Sequence, residues 1–197
     1  MSISTEPQLG TDIWTKGGPW RFTREATILG TAADILYSLY SQAFDPLKLK
    51  AAARHVLTRD EFFHQMEDNR IDKYVAWEAN DKPIGMITLT RRLESVPWIS
   101  PEYFAARFPE QWARNAVYYL GFGLARPSSR EARFLETCAA MCVEPLVAER
   151  AVIAYDVCSY NNEVLGFADR IARAAQHGSM SRLQKLDTQV YYAVNFA

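Results

Sequence analysis

The period of the apolar positions changes several times along this chain, and each change marks an element. From Trp20 to Thr27 polar and apolar side chains alternate, the period of two expected of a first strand. Leu29, Ala33, Leu36, Tyr40 and Ala43 then recur at helical spacing, with Pro46 just past the end of that helix. Thr58 followed by Glu61 predicts a capping box, and the helix it opens carries Phe62, Phe63 and Met66. Lys73 to Ala79 and Ile84 to Thr90 read as two strands of a hairpin, joined by Asn80, Asp81, Lys82 and Pro83. Val75, Trp77 and Ala79 alternate with Tyr74, Ala76 and Glu78, the pattern of a half-buried sheet.

Leu93 to Arg114 follows neither period. It holds Pro97, Pro101 and Pro109 among Trp98, Tyr103, Phe104, Phe108 and Trp112, and Ser100-Pro101-Glu102 predicts a short capped helix inside it. A connection of this length usually carries structure of its own or a function. Val117 to Leu124 is an apolar, aromatic-rich strand whose two glycines suggest a bulge or a close approach by a ligand or another backbone. A polar turn, Arg126 to Arg130, leads into a helix from Arg130 to about Val143 that Pro145 should end or kink. The apolar strand Ala151 to Cys158 comes next. A helix after Asn162 is expected to bury Val164, Phe167, Ala168, Ile171 and Ala175 and to stop near Gly178. Val190, Tyr192, Val194 and Phe196 alternate as a closing strand.

A chain of 197 residues is most simply one domain, and 49% apolar residues are enough for a sizeable core. Met1 to Thr11 is a polar start; residues 1–18 are expected to be loosely held and 19–197 to form the single domain. The balance of 22 basic against 23 acidic residues gives no surplus for a nucleic-acid partner. The apolar runs are strand-length, so no membrane span is expected. Glu6, Asp12 and Lys16 stand where a signal peptide needs an apolar core, so a cytoplasmic chain is expected. Cys138, Cys142 and Cys158, with His55, His64 and His177 scattered, read as small buried thiols, and no metal is expected.

From Val117 to Cys158 the order is strand, turn, helix, strand. That βαβ unit aims a helix N-terminus just past the end of its first strand, where free backbone N–H groups bind phosphate readily. With the preceding hairpin and the Pro-x-x-Arg turn at Pro127 to Arg130, the chain resembles the GNAT N-acetyltransferase superfamily from about Trp20 to Phe196. The resemblance implies an α/β fold with a mixed, mostly antiparallel sheet. In that family one strand bulges and splays from its parallel neighbour, and the pantetheine arm of acetyl-CoA lies in the gap. Carried over, Leu124, Ala125 and Arg126 hold the strand end that pairs with pantetheine, and Ser129, Arg130 and Arg133 lie at the pyrophosphate loop. Arg133 and Leu135 replace the two small residues of the family pattern, which should obstruct the usual backbone wrap; Arg133 offers a charge-assisted contact in its place. Asn161 and Asn162 match the asparagine that follows the second strand of the pair. Ala168 and Asp169 stand where many relatives carry an acidic tyrosine.

Other residues are candidates on their own chemistry. Asp156, inside an apolar strand, needs partners or a raised pKa, either as a general base or as a satisfied structural carboxylate. Glu78 offers the same chemistry on a more solvated face. Tyr118 and Tyr119 point to opposite faces of one strand, so one of them reaches a cleft; Tyr119 is taken as the catalytic candidate, with Tyr160, Tyr191 and Tyr192 as further candidate acids. Arg126 and Arg130 either contact phosphates or are solvated at a helix start, where positive charge is unfavourable. Trp98, Tyr103 and Tyr40 are the candidate acceptor contacts. The function expected is acyl transfer from acetyl-CoA, another acyl-CoA or a carrier-protein thioester to an amine on a small molecule. The alternative is a non-catalytic GNAT-like module that binds a ligand or partner. The candidate partners are the amine acceptor and an acyl carrier protein, and a homodimer is compatible with the sequence.

Overall fold

The computed structural model describes residues 12–14, 20–53, 56–78, 80–127, 143, 145–176 and 181–196. Strands β1 (Asp12–Trp14) and β2 (Arg21–Glu25) are followed by helices α1 (Gly30–Phe44) and α2 (Arg59–Glu67), with a short 3-10 turn, Asp45–Leu49, between the helices. The hairpin β3 (Asp72–Trp77) and β4 (Pro83–Thr90) comes next, then the small helices α3 (Pro101–Arg107) and α4 (Pro109–Ala113), β5 (Val117–Ala125), β6 (Val152–Ala154) and α5 (Phe167–Ala175). The six strands form one sheet in chain order. Every pair is antiparallel except β5 with β6, which is parallel. The fold is therefore α/β with a mixed, mostly antiparallel sheet, and its one parallel pair is the pair the GNAT resemblance requires.

The local signals act as expected. Thr58 Oγ1 accepts the Glu61 N–H at 3.3 Å while Glu61 Oε2 accepts the Thr58 N–H at 2.8 Å, both halves of the capping box. Ser100 Oγ caps α3 by accepting the Tyr103 N–H at 3.3 Å. The hairpin register runs from Asp72↔Leu89 to Trp77↔Pro83.

The sheet is covered on both faces, whereas the alternation in β3 predicts one solvated face. Val75, Trp77, Met86 and Leu124 pack under α1 and α2 with Leu36, Tyr40, Phe62 and Met66. Tyr74, Ala76, Ile87 and Tyr118 meet Phe22 and Leu146 on the other face. The insertion adds a third cluster, in which Leu93, Val96 and Phe104 lie against Val117, Tyr119 and Ala154. Lys73 is fully buried, its Nζ donating to the carbonyls of Ala26 and Asp68 at 2.7 Å each, and burial lowers its pKa to about 8.

Four expectations change. The strand read from Ala151 to Cys158 is regular only over β6. The helix after Asn162 is divided: Tyr160–Val164 forms a π-helical turn, Gly166 adopts a positive φ of 61°, and α5 starts at Phe167. Val164 is consequently exposed rather than buried. Residues 190–196 form no closing strand among the described residues, although their alternation is that of one. β1, at 12–14, adds a strand to the stretch expected to be loosely held.

Candidate functional site

The site is built around a bulge. β5 pairs with β4 in regular register at Gly85↔Ala125, Met86↔Leu124 and Ile87↔Gly123, and the register shifts before Leu89↔Leu120. The slip changes which residues face which side. Val117 and Tyr119 share one face, and past the bulge it is Phe122 and Leu124 that pack toward α1 and α2. Thr88, buried in β4, fills the bulge: its hydroxyl accepts the Phe122 N–H at 3.0 Å. A Cβ on Gly121 would come to 2.7 Å from Thr88 Oγ1, so this position needs glycine for space.

The bulge begins just past Leu120, one residue beyond Tyr119, the last β5 residue to pair with β6. The parallel ladder covers only Val117↔Val152, Tyr118↔Ile153 and Tyr119↔Ala154. A bulge bends and twists its strand. Beyond it β5 runs on to Ala125 while β6 ends at Ala154, so the pairing of the two strands stops short of the C-terminal half of β5, where the slot is expected. This early end to the pairing is what the expected splay requires.

Tyr119 and Asp156 meet at the root of the slot. The Tyr119 hydroxyl donates a short hydrogen bond to Asp156 Oδ1. Trp98 Nε1, from the insertion, lies 3.2 Å from the Tyr119 hydroxyl and 3.3 Å from Asp156 Oδ1, so its N–H donates to both. Tyr119 is buried, and burial, then the Asp156 charge and hydrogen bond, drive its pKa far above that of a free phenol. Asp156 differs from expectation. It lies past the end of β6 and is exposed, so the desolvation expected of a carboxylate inside the strand falls on its tyrosine partner. The arrangement is a carboxylate open to solvent, oriented by two donors, where the pairing of the two strands ends.

The remaining candidates fall elsewhere or outside the described residues. Leu124 is buried and Ala125 half-buried at the far end of β5. Arg126 follows them, and its guanidinium grips Glu78 through two nitrogen–oxygen contacts of 3.1 Å. That bridge lowers the Glu78 pKa and places Glu78 seven positions along from Tyr119, about 20 Å by strand rise, so it takes no part in the Tyr119–Asp156 group. Ser128, Ser129, Arg130 and Arg133 lie outside the described residues, as do Cys138, Cys142, His55 and His177. Asn161 and Asn162 sit in the π-helical turn, with the Asn162 N–H bonded to the Cys158 carbonyl. Tyr103 is 40% exposed and donates its hydroxyl to the Leu186 carbonyl at 3.1 Å, while Trp98 is 50% exposed. Trp98 belongs to the Tyr119–Asp156 group, whereas Tyr103 is one ring removed from it, packing edge-on to Phe104, whose ring lies 6.4 Å from that of Tyr119.

Tyr40 does not reach it. Its ring is stacked in the core against Phe44, Phe62 and Phe122, its hydroxyl accepts the Leu57 N–H at 2.8 Å, and burial pushes its pKa up to about 12. Of the further candidate acids, Tyr191 and Tyr192 are exposed on residues 181–196, and Tyr160 accepts from Lys50 Nζ at 2.8 Å. Tyr118 faces the other way, donating to Glu149 at 2.7 Å. Sequence reasoning missed Thr88 as the residue that fills the bulge and Trp98 as a hydrogen-bond donor. A threonine facing the paired glycines across the ladder was a usable signal for the first; nothing local signalled the second.

Among the described residues no cluster of His, Cys, Asp or Glu could hold a metal ion, and no helix is long and apolar enough to cross a membrane. No family model matches the chain, and no curated protein matches it. Among solved structures it is similar to the crystal structure of an aminoglycoside acetyltransferase from an uncultured soil metagenomic sample, in complex with sisomicin. The two are 12% identical with a TM-score of 0.45, over 88% of this chain and 97% of that one. A likeness of this size leaves the functional reading to the geometry of the chain itself.

Proposed function

We propose that this chain transfers an acyl group from a CoA thioester to an amine of a small molecule, with the pantetheine arm lying in the slot between β5 and β6. The observation that carries the reading is the coincidence of the slot with a carboxylate. The parallel ladder stops at Tyr119↔Ala154, and Asp156 stands two residues beyond. An extended arm can add to the open side of β5 as a strand would, through main-chain hydrogen bonds. A carrier-protein arm presents the same pantetheine and would enter the same way.

In this reading the acceptor amine approaches past the exposed faces of Trp98 and Tyr103, which favour an acceptor with a ring or apolar portion. The amine nitrogen attacks the thioester carbonyl and the carbon–sulfur bond breaks. The proton shed by nitrogen passes to Asp156, and Asp156 returns it to the departing thiolate, so the enzyme ends as it began. Asp156 is the catalytic residue. Tyr119, held protonated by burial, and Trp98 fix the rotamer of its carboxylate. Holding amine and thioester in one slot supplies much of the rate, since a positioned pair reacts as if at very high concentration.

The test is amine-dependent release of free thiol from acetyl-CoA and longer acyl-CoAs, with ring-bearing and linear amines as acceptors. Turnover abolished by Asp156→Asn, with acyl-CoA binding kept, supports the reading. Turnover untouched by that substitution removes Asp156 from the chemistry. Absence of turnover together with absence of acyl-CoA binding returns the chain to a non-catalytic module.

A further inference from the structure

Tyr118 and Tyr119 are neighbours in β5, and each holds a carboxylate from the stretch around β6. On one face the Tyr118 hydroxyl donates to Glu149 Oε2 at 2.7 Å; on the other the Tyr119 hydroxyl donates to Asp156 Oδ1. Glu149 stands three residues before β6 and Asp156 two residues after it. β6 is thus strung between two bonds made by adjacent residues of one strand, whose side chains leave opposite faces of the sheet. Asp156 has a chemical role in acyl transfer; Glu149 has none.

By itself β6 specifies its register weakly. It makes three ladder pairs with β5, and the stretch from Ala151 to Tyr155 carries no charge, so a slip of one residue forces none into the core. Such a slip would exchange the faces of Ile153 and Ala154 and draw Asp156 away from Tyr119. The turn before the strand is what distinguishes the native register. Glu149 Oε1 lies 3.5 Å from Arg91 Nη2, and the Arg91 guanidinium sits over the Tyr118 ring at 4.8 Å. The Glu149 carbonyl accepts from Arg114 Nη1 at 2.7 Å. The next residue, Arg150, is held at a φ of 47°, a left-handed conformation that a non-glycine residue keeps only where its surroundings impose it.

We propose that Glu149 is a positioning residue: anchored by Tyr118, it sets the register of β6 and so places the Asp156 carboxylate against Tyr119. It acts through the strand alone, since its own carboxylate lies on the face opposite the Tyr119–Asp156 group. The claim about register stands without acyl transfer, and the consequence for turnover rests on that reading.

The test reads register and turnover separately in Glu149→Ala, Tyr118→Phe, the two together, and Glu149→Gln, whose amide oxygen still accepts the Tyr118 hydroxyl. Nuclear Overhauser contacts in the wild-type chain should pair Tyr119 with Ala154. In Glu149→Ala and in Tyr118→Phe those contacts should weaken or move by one residue, while the contacts between β3 and β4 stay. With acetyl-CoA and an amine acceptor, kcat should fall by ~tenfold or more in either variant, with the acetyl-CoA dissociation constant held within about twofold. The double variant should lose no more than either single one, and Glu149→Gln should recover most of the rate. Wild-type contacts between β5 and β6 in both single variants overturn the proposal. So do losses of kcat that multiply in the double variant, because two independent structural effects would do that. Should Glu149→Ala fail to fold, Tyr118→Phe against Glu149→Gln carries the same comparison, and a Glu149→Gln chain as impaired as Tyr118→Phe overturns the proposal. A wild-type chain without turnover removes the acyl-transfer reading instead, and the Overhauser contacts then decide the register.

Discussion

Replacing Gly121 with alanine tests whether the β5 bulge is held by steric fit to Thr88. The new Cβ would stand 2.7 Å from Thr88 Oγ1, closer than any real contact, so something must move. Thr88 is buried and β-branched, and its hydroxyl holds the Phe122 N–H at 3.0 Å. Rotating it away leaves that N–H unpaired, at about 1–3 kcal/mol. Shifting the backbone instead costs a similar ~1–3 kcal/mol of overpacking. Gly121→Ala should therefore destabilise by about 2 kcal/mol, or about 4–8 °C in Tm for a domain of this size. Thr88→Ala alone should cost about 1–3 kcal/mol through the orphaned N–H. The double variant should cost little more than Thr88→Ala, because the clash has gone, so the cycle should show a coupling of ~1 kcal/mol or more. Urea unfolding followed by tryptophan fluorescence reads all four corners. A Gly121→Ala chain within ~0.5 kcal/mol of wild type, or two strictly additive costs, would refute the account of the bulge.

Three further outcomes follow from the same geometry. Tyr119→Phe should lower kcat less than Asp156→Asn and should change the pH profile of kcat, because it frees the carboxylate that Tyr119 orients; identical profiles for Tyr119→Phe and wild type would count against a positioning role. Lys73 has a pKa lowered to about 8 by burial against an ordinary value of 10.5, so between those values the unfolded chain binds the extra proton and stability should rise with pH, by up to about 3 kcal/mol; in Lys73→Met that rise should vanish, and equal slopes in the two chains would contradict the assignment. Thr58→Ala removes the α2 cap and should cost about 1 kcal/mol in chemical unfolding, with no change in acyl-CoA affinity.

Local chemistry made most of the framework legible. Thr58 and Glu61, Ser100 and Pro101, and the alternation through β3, β4 and β5 each dictate an element from a few neighbouring residues, and those elements formed. The glycines at 121 and 123 marked the bulge, and strand order marked the parallel pair and its splay. What escaped depends on partners far apart in the chain. Trp98 reaches Asp156 across 58 positions, and Arg126 reaches Glu78 across 48. Tyr40 has the composition of a pocket residue, yet α1 turns it inward onto Phe62 and Phe122. Residues 190–196 have a strand's periodicity, and periodicity states a preference without naming the edge that satisfies it. Gly166 sits within a run of helical spacing, and its positive φ starts a new helix where the pattern suggested continuity.

The central claim is that a CoA thioester lies in the slot where β5 leaves β6, and titration of acetyl-CoA into the wild-type and Gly121→Ala chains by calorimetry tests it most directly. The account predicts saturable binding at one site per chain. That binding should weaken when Gly121→Ala reshapes the bulge and persist in Asp156→Asn, which leaves the slot intact. Absence of heat with acetyl-CoA, longer acyl-CoAs and free CoA alike, or binding that Gly121→Ala leaves unchanged, would contradict it.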